Sequence, residues 1–175
     1  MSALKKHLRN RLALRRYRLL SRLAVTIDWQ VSAPAHLISK KVRQVMQYAW
    51  LGEGRGRVNV QFVSPEISQA LNREWRGKDK ATNVLSFPFE LPEGWEDKQQ
   101  FLGDLVICLP VLEAEASEQG KTLSAHLAHL LVHGLLHLQG YDHETEAEAQ
   151  EMESFEALIL SQVGFSNPYA DESVS

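Results

Sequence analysis

Residues 133–143, with the sequence HGLLHLQGYDH, constrain this chain more than any other segment. His133 and His137 are four residues apart, so on a helix they lie on one face, one turn apart. Gly140 can adopt the left-handed conformation that ends a helix, which would let the chain turn and bring His143 back toward the other two. The spacing therefore predicts a helix that ends beside a cluster of three imidazoles.

Three imidazoles can hold a zinc ion and leave its fourth coordination position open, which is the arrangement of catalytic zinc sites. The ion lowers the pKa of a water molecule at that position to about 7. We therefore predict one Zn²⁺ per chain, with His133, His137 and His143 as its ligands.

Two further histidines precede this cluster. His129 forms a row at i, i+4 and i+8 with His133 and His137, so a site built on the helix alone is an alternative. Residues i and i+8 stand about 12 Å apart along a helix, however, which is too far for both to bind one ion. We expect His129 to support the site or pack beside it, and His126 to be an ordinary helix residue.

The same spacing of histidines occurs in the metzincin peptidases, which carry a glutamate directly after the first histidine as general base. This chain has Gly134 at that position. Without the carboxylate, a peptide-hydrolysing site lacks its proton acceptor, so a metallopeptidase is the less favoured alternative.

Together with two other segments, the histidine motif resembles the signature of the YbeY family of bacterial and organellar endoribonucleases, which act as ribosomal RNA (rRNA) maturation factors. The resemblance covers the chain from about residue 24 to residue 169. Asn83 and Ala81 depart from the family pattern, which often has Asp and Pro there. The two other segments are residues 72–88, which contain NREWR and TNVLSFP, and residues 103–107, GDLVI.

The resemblance implies a zinc-dependent endoribonuclease, specific for single strands, that acts in rRNA processing and ribosome quality control. The rRNA step it implies is maturation of the 3′ end of small-subunit rRNA. Its implied partners are single-stranded RNA, rRNA, ribosomal or small-subunit components and a ribosome-associated GTPase. It also implies that His133, His137 and His143 hold the zinc ion and that Arg76 and His133 are catalytic.

The chemistry of Arg76 agrees with such a role, because a planar guanidinium matches phosphate oxygens and would share the charge that develops on a phosphodiester. The alternative is that Arg76 is one of several solvated charges in residues 73–80. The attacking group is open between a water activated by the ion and the 2′-hydroxyl of the substrate. Asp142 and Glu144 are candidates for accepting a proton or for anchoring the site.

A non-catalytic function is the main alternative. In it, zinc would only stabilise a ribosome assembly factor, although a structural zinc ion usually has four protein ligands.

Composition and charge limit the setting. The 175 residues suit one domain, and no run of apolar residues is long enough to span a membrane. The single cysteine, Cys108, fits a reducing cytoplasm and a place in the core. Residues 1–23 contain eight basic residues and no acidic one, whereas the rest of the chain carries a net charge of −11. RNA binding must therefore use local positive charge.

Three segments make up the predicted organisation. Residues 1–23 form a basic N-terminal extension. The favoured interpretation is an arm that contacts RNA or is unstructured, and a transit peptide is the less favoured one. Residues 24–169 form the endoribonuclease domain, and residues 170–175 form a flexible tail.

Periodicity predicts alternating strands and helices, hence a single α+β domain with a mixed sheet of about four strands packed against helices. The family is known for a metalloprotease-like arrangement of this kind. Apolar residues surround the histidine helix almost completely, so we expect it to be central and buried. The predicted strands are 24–31, 57–63, 83–87 and 102–109, and the predicted helices are 35–51, 65–75, 110–120, 122–138 and 145–163.

Overall fold

A computed structural model describes residues 22–32, 35–92, 94 and 100–170. The elements are β1 (Arg22–Trp29), α1 (Ala35–Ala49), β2 (Arg55–Val63), α2 (Pro65–Arg76), β3 (Val84–Pro88), β4 (Phe101–Cys108), α3 (Leu109–Glu118), α4 (Leu123–Leu138) and α5 (Glu146–Gln162). Strands and helices alternate up to β3, β4 follows β3 directly, and the remaining elements are helices.

The four strands form one mixed sheet in the order β1-β2-β4-β3. β1 pairs parallel to β2, and β2 pairs parallel to β4. β3 runs antiparallel to β4, with Leu85 opposite Val106, and forms one edge of the sheet. The connections between the parallel strands carry α1 and α2, as parallel pairing requires. The predicted α+β architecture with a four-stranded mixed sheet is confirmed.

The histidine helix α4 lies at the centre of the larger core. Its residues Leu131, Val132, Leu135 and Leu136 are fully buried. They pack with side chains of α1, α5 and one face of the sheet, including Leu105 of β4. A smaller cluster of buried residues on the opposite face contains Val63, Leu85, Val106 and Cys108. A helix packed on several sides holds its side chains rigidly, which suits a metal site.

Local signals in the sequence explain where the helices that carry the site begin and end. Ser64 caps α2 through a hydrogen bond from the Ile67 amide, and Gly77 ends it with a φ of 67°. Thr122 caps α4 in the same way. Thr145 and Glu148 form a reciprocal capping box at the start of α5. These caps satisfy amides that the helices themselves leave unpaired.

The predicted elements agree with the observed ones to within a few residues. β1 begins at Arg22, inside the segment predicted to be an N-terminal extension, and Leu23 is buried in the core. The rest of that extension and residues 171–175 lie outside the described residues. Cys108 is buried, as expected, and burial raises the pKa of its thiol. In the described part of the chain, no helix has the length and hydropathy needed to cross a membrane.

Gln139 connects the end of the histidine helix to α1. Its Oε1 accepts the Leu51 amide at 2.9 Å, and its Nε2 donates to the carbonyls of Ala49 and Leu135, both at 3.0 Å. We expect Gln139→Ala to lower the free energy of unfolding by about 1–3 kcal/mol, because it leaves half-buried backbone groups without partners. Urea unfolding followed by circular dichroism measures this loss.

Gln150→Ala is the matched control, since Gln150 is exposed on α5. Its effect should stay within about 0.5 kcal/mol of zero. Equal stabilities of the two variants would contradict the role assigned to Gln139.

Candidate metal centre

The three predicted ligands converge at the end of α4. His133 and His137 lie one turn apart, and their Nε2 atoms are 3.1 Å apart. Gly140 adopts a φ of 87°, and the amide of Tyr141 bonds back to the Leu136 carbonyl. This turn brings the His143 ring to 5.6 Å from the His133 ring and 5.0 Å from the His137 ring, measured between centroids.

The geometry fits a metal ion held by three nitrogens. One ring nitrogen from each of His133, His137 and His143 lies within 4.8 Å of the other two. Two nitrogens bound to one tetrahedral zinc ion stand about 3.4 Å apart, so the residues fit zinc after a small adjustment. His129 does not belong to this group, so the site built on the helix alone is not the one that the fold assembles.

The pKa of His137 also favours its use as a metal ligand. Burial lowers the pKa of its imidazole, and the neighbouring His133 and His143 lower it further. A neutral imidazole has a lone pair to offer to a metal, whereas a protonated one has none.

A buried carboxylate supports His133 from behind. Glu156 of α5 is fully buried, and its Oε1 lies 2.7 Å from Nδ1 of His133. Burial alone would raise the pKa of Glu156, but hydrogen bonds from His129, His133 and Tyr169 outweigh it and lower this pKa to about 2. An ionised Glu156 accepts a hydrogen bond from the N–H at Nδ1 of His133. Nε2 of His133 then carries the lone pair, and it faces the other histidines.

His129 and Tyr169 bind the other oxygen of the same carboxylate. Nε2 of His129 lies 3.0 Å from Oε2 of Glu156 and 3.0 Å from the Tyr169 hydroxyl. That hydroxyl also donates a short hydrogen bond to Oε2 of Glu156. The contacts place His129 in support of the site, one of the two roles that we expected for it.

His126 belongs to a separate polar cluster. It is buried, and its Nε2 lies 2.9 Å from Oε2 of Glu115. The same oxygen accepts a hydrogen bond from the amide of Asn83 at 2.8 Å. His126 therefore joins α4 to α3 and to the start of β3. An ionised aspartate at position 83 could not donate this bond to Glu115.

The three histidines open onto a cavity of about 620 Å³. Arg76, at the exposed C-terminal end of α2, lines the same cavity. Asp142 also lines it, and its Oδ1 accepts the backbone amide of His143 at 2.8 Å, which is an anchoring contact. Glu144 is exposed and is not among the lining residues. A metal ion held by the histidines would thus share one cavity with Arg76.

A glutamate at position 134, where a metzincin peptidase carries its general base, would crowd its neighbours. A Cβ atom at this position would lie 2.9 Å from Leu105 Cδ2 and 3.2 Å from Ser86 Oγ. The position therefore faces the sheet, and a longer side chain would displace packed neighbours. The general base of the peptidase mechanism is absent from the sequence, and the packing explains why glycine occupies its place.

Two supporting residues were missed from the sequence alone. Glu156 shares its helix face with Met152, Phe155 and Ile159, all buried. A single carboxylate within an apolar stripe is a signal for a buried, paired charge, and it could have been found. Tyr169 lies near the C-terminus beyond Asn167, and no local pattern predicts its contact with His129.

Comparisons of the sequence with known proteins agree on one family. A family model described as Endoribonuclease YbeY matches residues 25–164. A protein named Endoribonuclease YbeY from Alteromonas mediterranea is 52% identical over 149 residues, which cover 85% of this chain and 90% of that protein. Its namesake from Colwellia psychrerythraea is 47% identical over 157 residues, covering 86% of this chain and 100% of that protein.

A solved structure is also similar. It is the solution structure of TM1509 from Thermotoga maritima, with a TM-score of 0.49 and 24% sequence identity, covering 82% of this chain and 97% of that one.

The contact between Glu156 and His133 predicts a loss of metal affinity when the carboxylate is removed. Glu156→Gln keeps the size of the side chain but removes the negative charge that accepts the hydrogen bond from Nδ1 of His133. We expect the zinc affinity to fall about 10- to 100-fold. Competition with a chromophoric chelator measures this affinity without reference to any activity.

Glu153→Gln is the matched control, because Glu153 is exposed on the same helix. It should bind zinc like the unmodified chain. If Glu156→Gln also binds zinc with unchanged affinity, Glu156 does not position His133.

Proposed function

The chain belongs to the YbeY endoribonuclease family, and we propose that it cleaves single-stranded RNA in the cavity lined by Arg76 and the three histidines. Membership makes it a hydrolytic endoribonuclease with a role in rRNA processing. The observation that carries the proposed site is the position of Arg76, which lines the same cavity as His133, His137 and His143.

We propose that the cavity holds a single zinc ion through His133, His137 and His143. When bound, zinc supplies a Lewis acid and lowers the pKa of a water molecule. Glu156 holds the His133 ring in the tautomer that turns Nε2 toward the other two ligands. Asp142 fixes the backbone that carries His143. The chain thus contributes rigid ligands from one helix and one anchored turn.

Arg76 has the chemistry to bind the scissile phosphate. Its guanidinium is always charged and can donate two parallel hydrogen bonds to phosphate oxygens. As the phosphorus is attacked, negative charge grows on those oxygens, and a cation placed there stabilises the transition state more than the substrate. The chain carries a net charge of −3, so this local cation matters more than the overall field.

The shape of the site favours a single strand. The His133 side chain is 28% exposed and lies inside the cavity. A phosphodiester must bend into this space to reach His133, which a flexible single strand can do and a stiff duplex resists. The attacking group is water or the 2′-hydroxyl of the substrate, and only attack by the 2′-hydroxyl leaves a cyclic phosphate on the product.

We further propose that the natural substrate is rRNA, including the 3′ end of small-subunit rRNA, and that the enzyme takes part in ribosome quality control. The ribosome or its small-subunit components, with a ribosome-associated GTPase, are the proposed partners, and the cytoplasm is the proposed location. Family membership supports the RNA substrate. The reduced, buried Cys108 fits a cytoplasmic protein.

Arg76→Ala tests this function directly. We expect the variant to lose at least about 100-fold in the rate of cleavage of a single-stranded rRNA fragment, because it removes the cation that faces the phosphate. Its zinc content, measured by elemental analysis, should stay unchanged. A chelator should abolish cleavage by the unmodified chain, and readdition of zinc should restore it.

Arg73→Ala is the matched control. Arg73 is exposed on the same helix and pairs with Asp79 at 3.7 Å, outside the cavity. We expect it to retain most of the activity. Equal cleavage by both variants would contradict the role of Arg76. If the unmodified, zinc-loaded chain binds rRNA without cutting it, a non-catalytic assembly factor becomes the better hypothesis.

A further inference from the structure

Two aromatic side chains are exposed close to the cavity. Trp75 is 65% exposed, and Phe89 is 46% exposed. Large apolar side chains exposed close together often mark a surface that binds another molecule. Neither residue lines the cavity itself, so the site described above does not account for them.

These residues belong to a row of rings along β3. Trp75 contacts Phe87 edge to face at 5.8 Å between centroids, and Phe89 packs against Phe101 at 5.1 Å. Phe87 and Phe89 are two residues apart on an extended segment, because the amide of Phe89 still bonds to Leu102 of β4. They therefore share one face of the sheet. We call Trp75, Phe87, Phe89 and Phe101 the aromatic row.

The row lies beside the cavity, on the opposite face of β3. Arg76, which lines the cavity, follows Trp75 in the chain. Ser86 and Pro88 alternate with Phe87 and Phe89 along the same segment, and they line the cavity on the other face. Because β3 is an edge of the sheet, a polymer that leaves the cavity over this edge reaches the row.

We propose that single-stranded RNA leaves the cavity across the edge of β3 and stacks its bases on the aromatic row. This inference rests on the proposed function. Nucleobases stack on aromatic side chains whatever their sequence. The Arg57 guanidinium lies 5.5 Å from the centre of the Phe101 ring, at the far end of the row, where it can meet a phosphate or a base. The aromatic row thus has Arg76 next to one end and Arg57 next to the other.

The charges beside the row favour stacking over binding of phosphates along its length. Glu74 and Glu90 are exposed and directly adjacent in sequence to Trp75 and Phe89. Carboxylates repel phosphates, so most of the affinity gained here must come from the rings themselves. The contribution of the row should therefore depend little on salt, unlike that of Arg76.

Binding of oligonucleotides of two lengths tests the proposal. The probes are 2′-O-methyl single strands of about four and about twelve nucleotides, followed by fluorescence anisotropy with the zinc-loaded chain and checked afterwards on a gel for cleavage. We expect Trp75→Ala and Phe89→Ala each to bind the longer probe about tenfold more weakly. Their affinity for the shorter probe, which fills only the cavity, should stay unchanged.

Two control variants separate stacking from a structural effect. Trp75→Phe keeps a ring and should retain most of the affinity for the longer probe. Ile67→Ala removes another exposed apolar side chain, 38% exposed on the same helix, and should bind both probes normally. Because the substituted side chains are exposed, all four variants should unfold at nearly the same denaturant concentration as the unmodified chain.

The outcomes distinguish this inference from the function beneath it. If the unmodified chain cuts RNA but Trp75→Ala and Phe89→Ala bind both probes with unchanged affinity, the stacking proposal alone is overturned. The aromatic row would then be a surface for a protein. Weakened binding of both probes in equal measure would also overturn it. If the unmodified chain neither binds nor cuts RNA, the proposed function itself fails.

Discussion

The hydrogen bond between Nδ1 of His133 and the buried carboxylate of Glu156 is the contact on which the candidate metal centre depends. A carboxylate with no exposed surface is costly unless every oxygen is paired, and here His129, His133 and Tyr169 provide the partners. The same contact packs α5 against α4 and sets the orientation of the imidazole. The packing of the core and the chemistry of the site therefore rest on the same few atoms.

The sequence predicts most of the fold, because its signals are local. The periodicity of apolar residues locates the strands and helices, and caps such as Ser64 and Thr122 mark where helices begin. The grouping of the candidate ligands His133, His137 and His143 is predicted for the same reason, since a helix and the turn at Gly140 bring them together over eleven residues.

Contacts between distant segments are what the sequence does not reveal. Glu156 meets His133 across 23 residues, and Tyr169 meets His129 across 40. Neither spacing has a periodic signature, because packing of α4 against α5 and the path of the C-terminal segment decide both contacts. The helix pattern likewise does not predict the exposure of Trp75, since Trp side chains are on average largely buried. Glu156, an acidic residue within an apolar stripe, could have been recognised as a residue in need of a partner.

The most direct test of this account is a crystal structure of the chain loaded with zinc. We expect one ion bound to Nε2 of His133 and to one ring nitrogen each of His137 and His143, at about 2.0–2.1 Å. Glu156 should remain hydrogen-bonded to Nδ1 of His133 and should not touch the ion. An ion bound instead by His129 or by Glu156, or a site closed by a fourth protein ligand, would contradict the account.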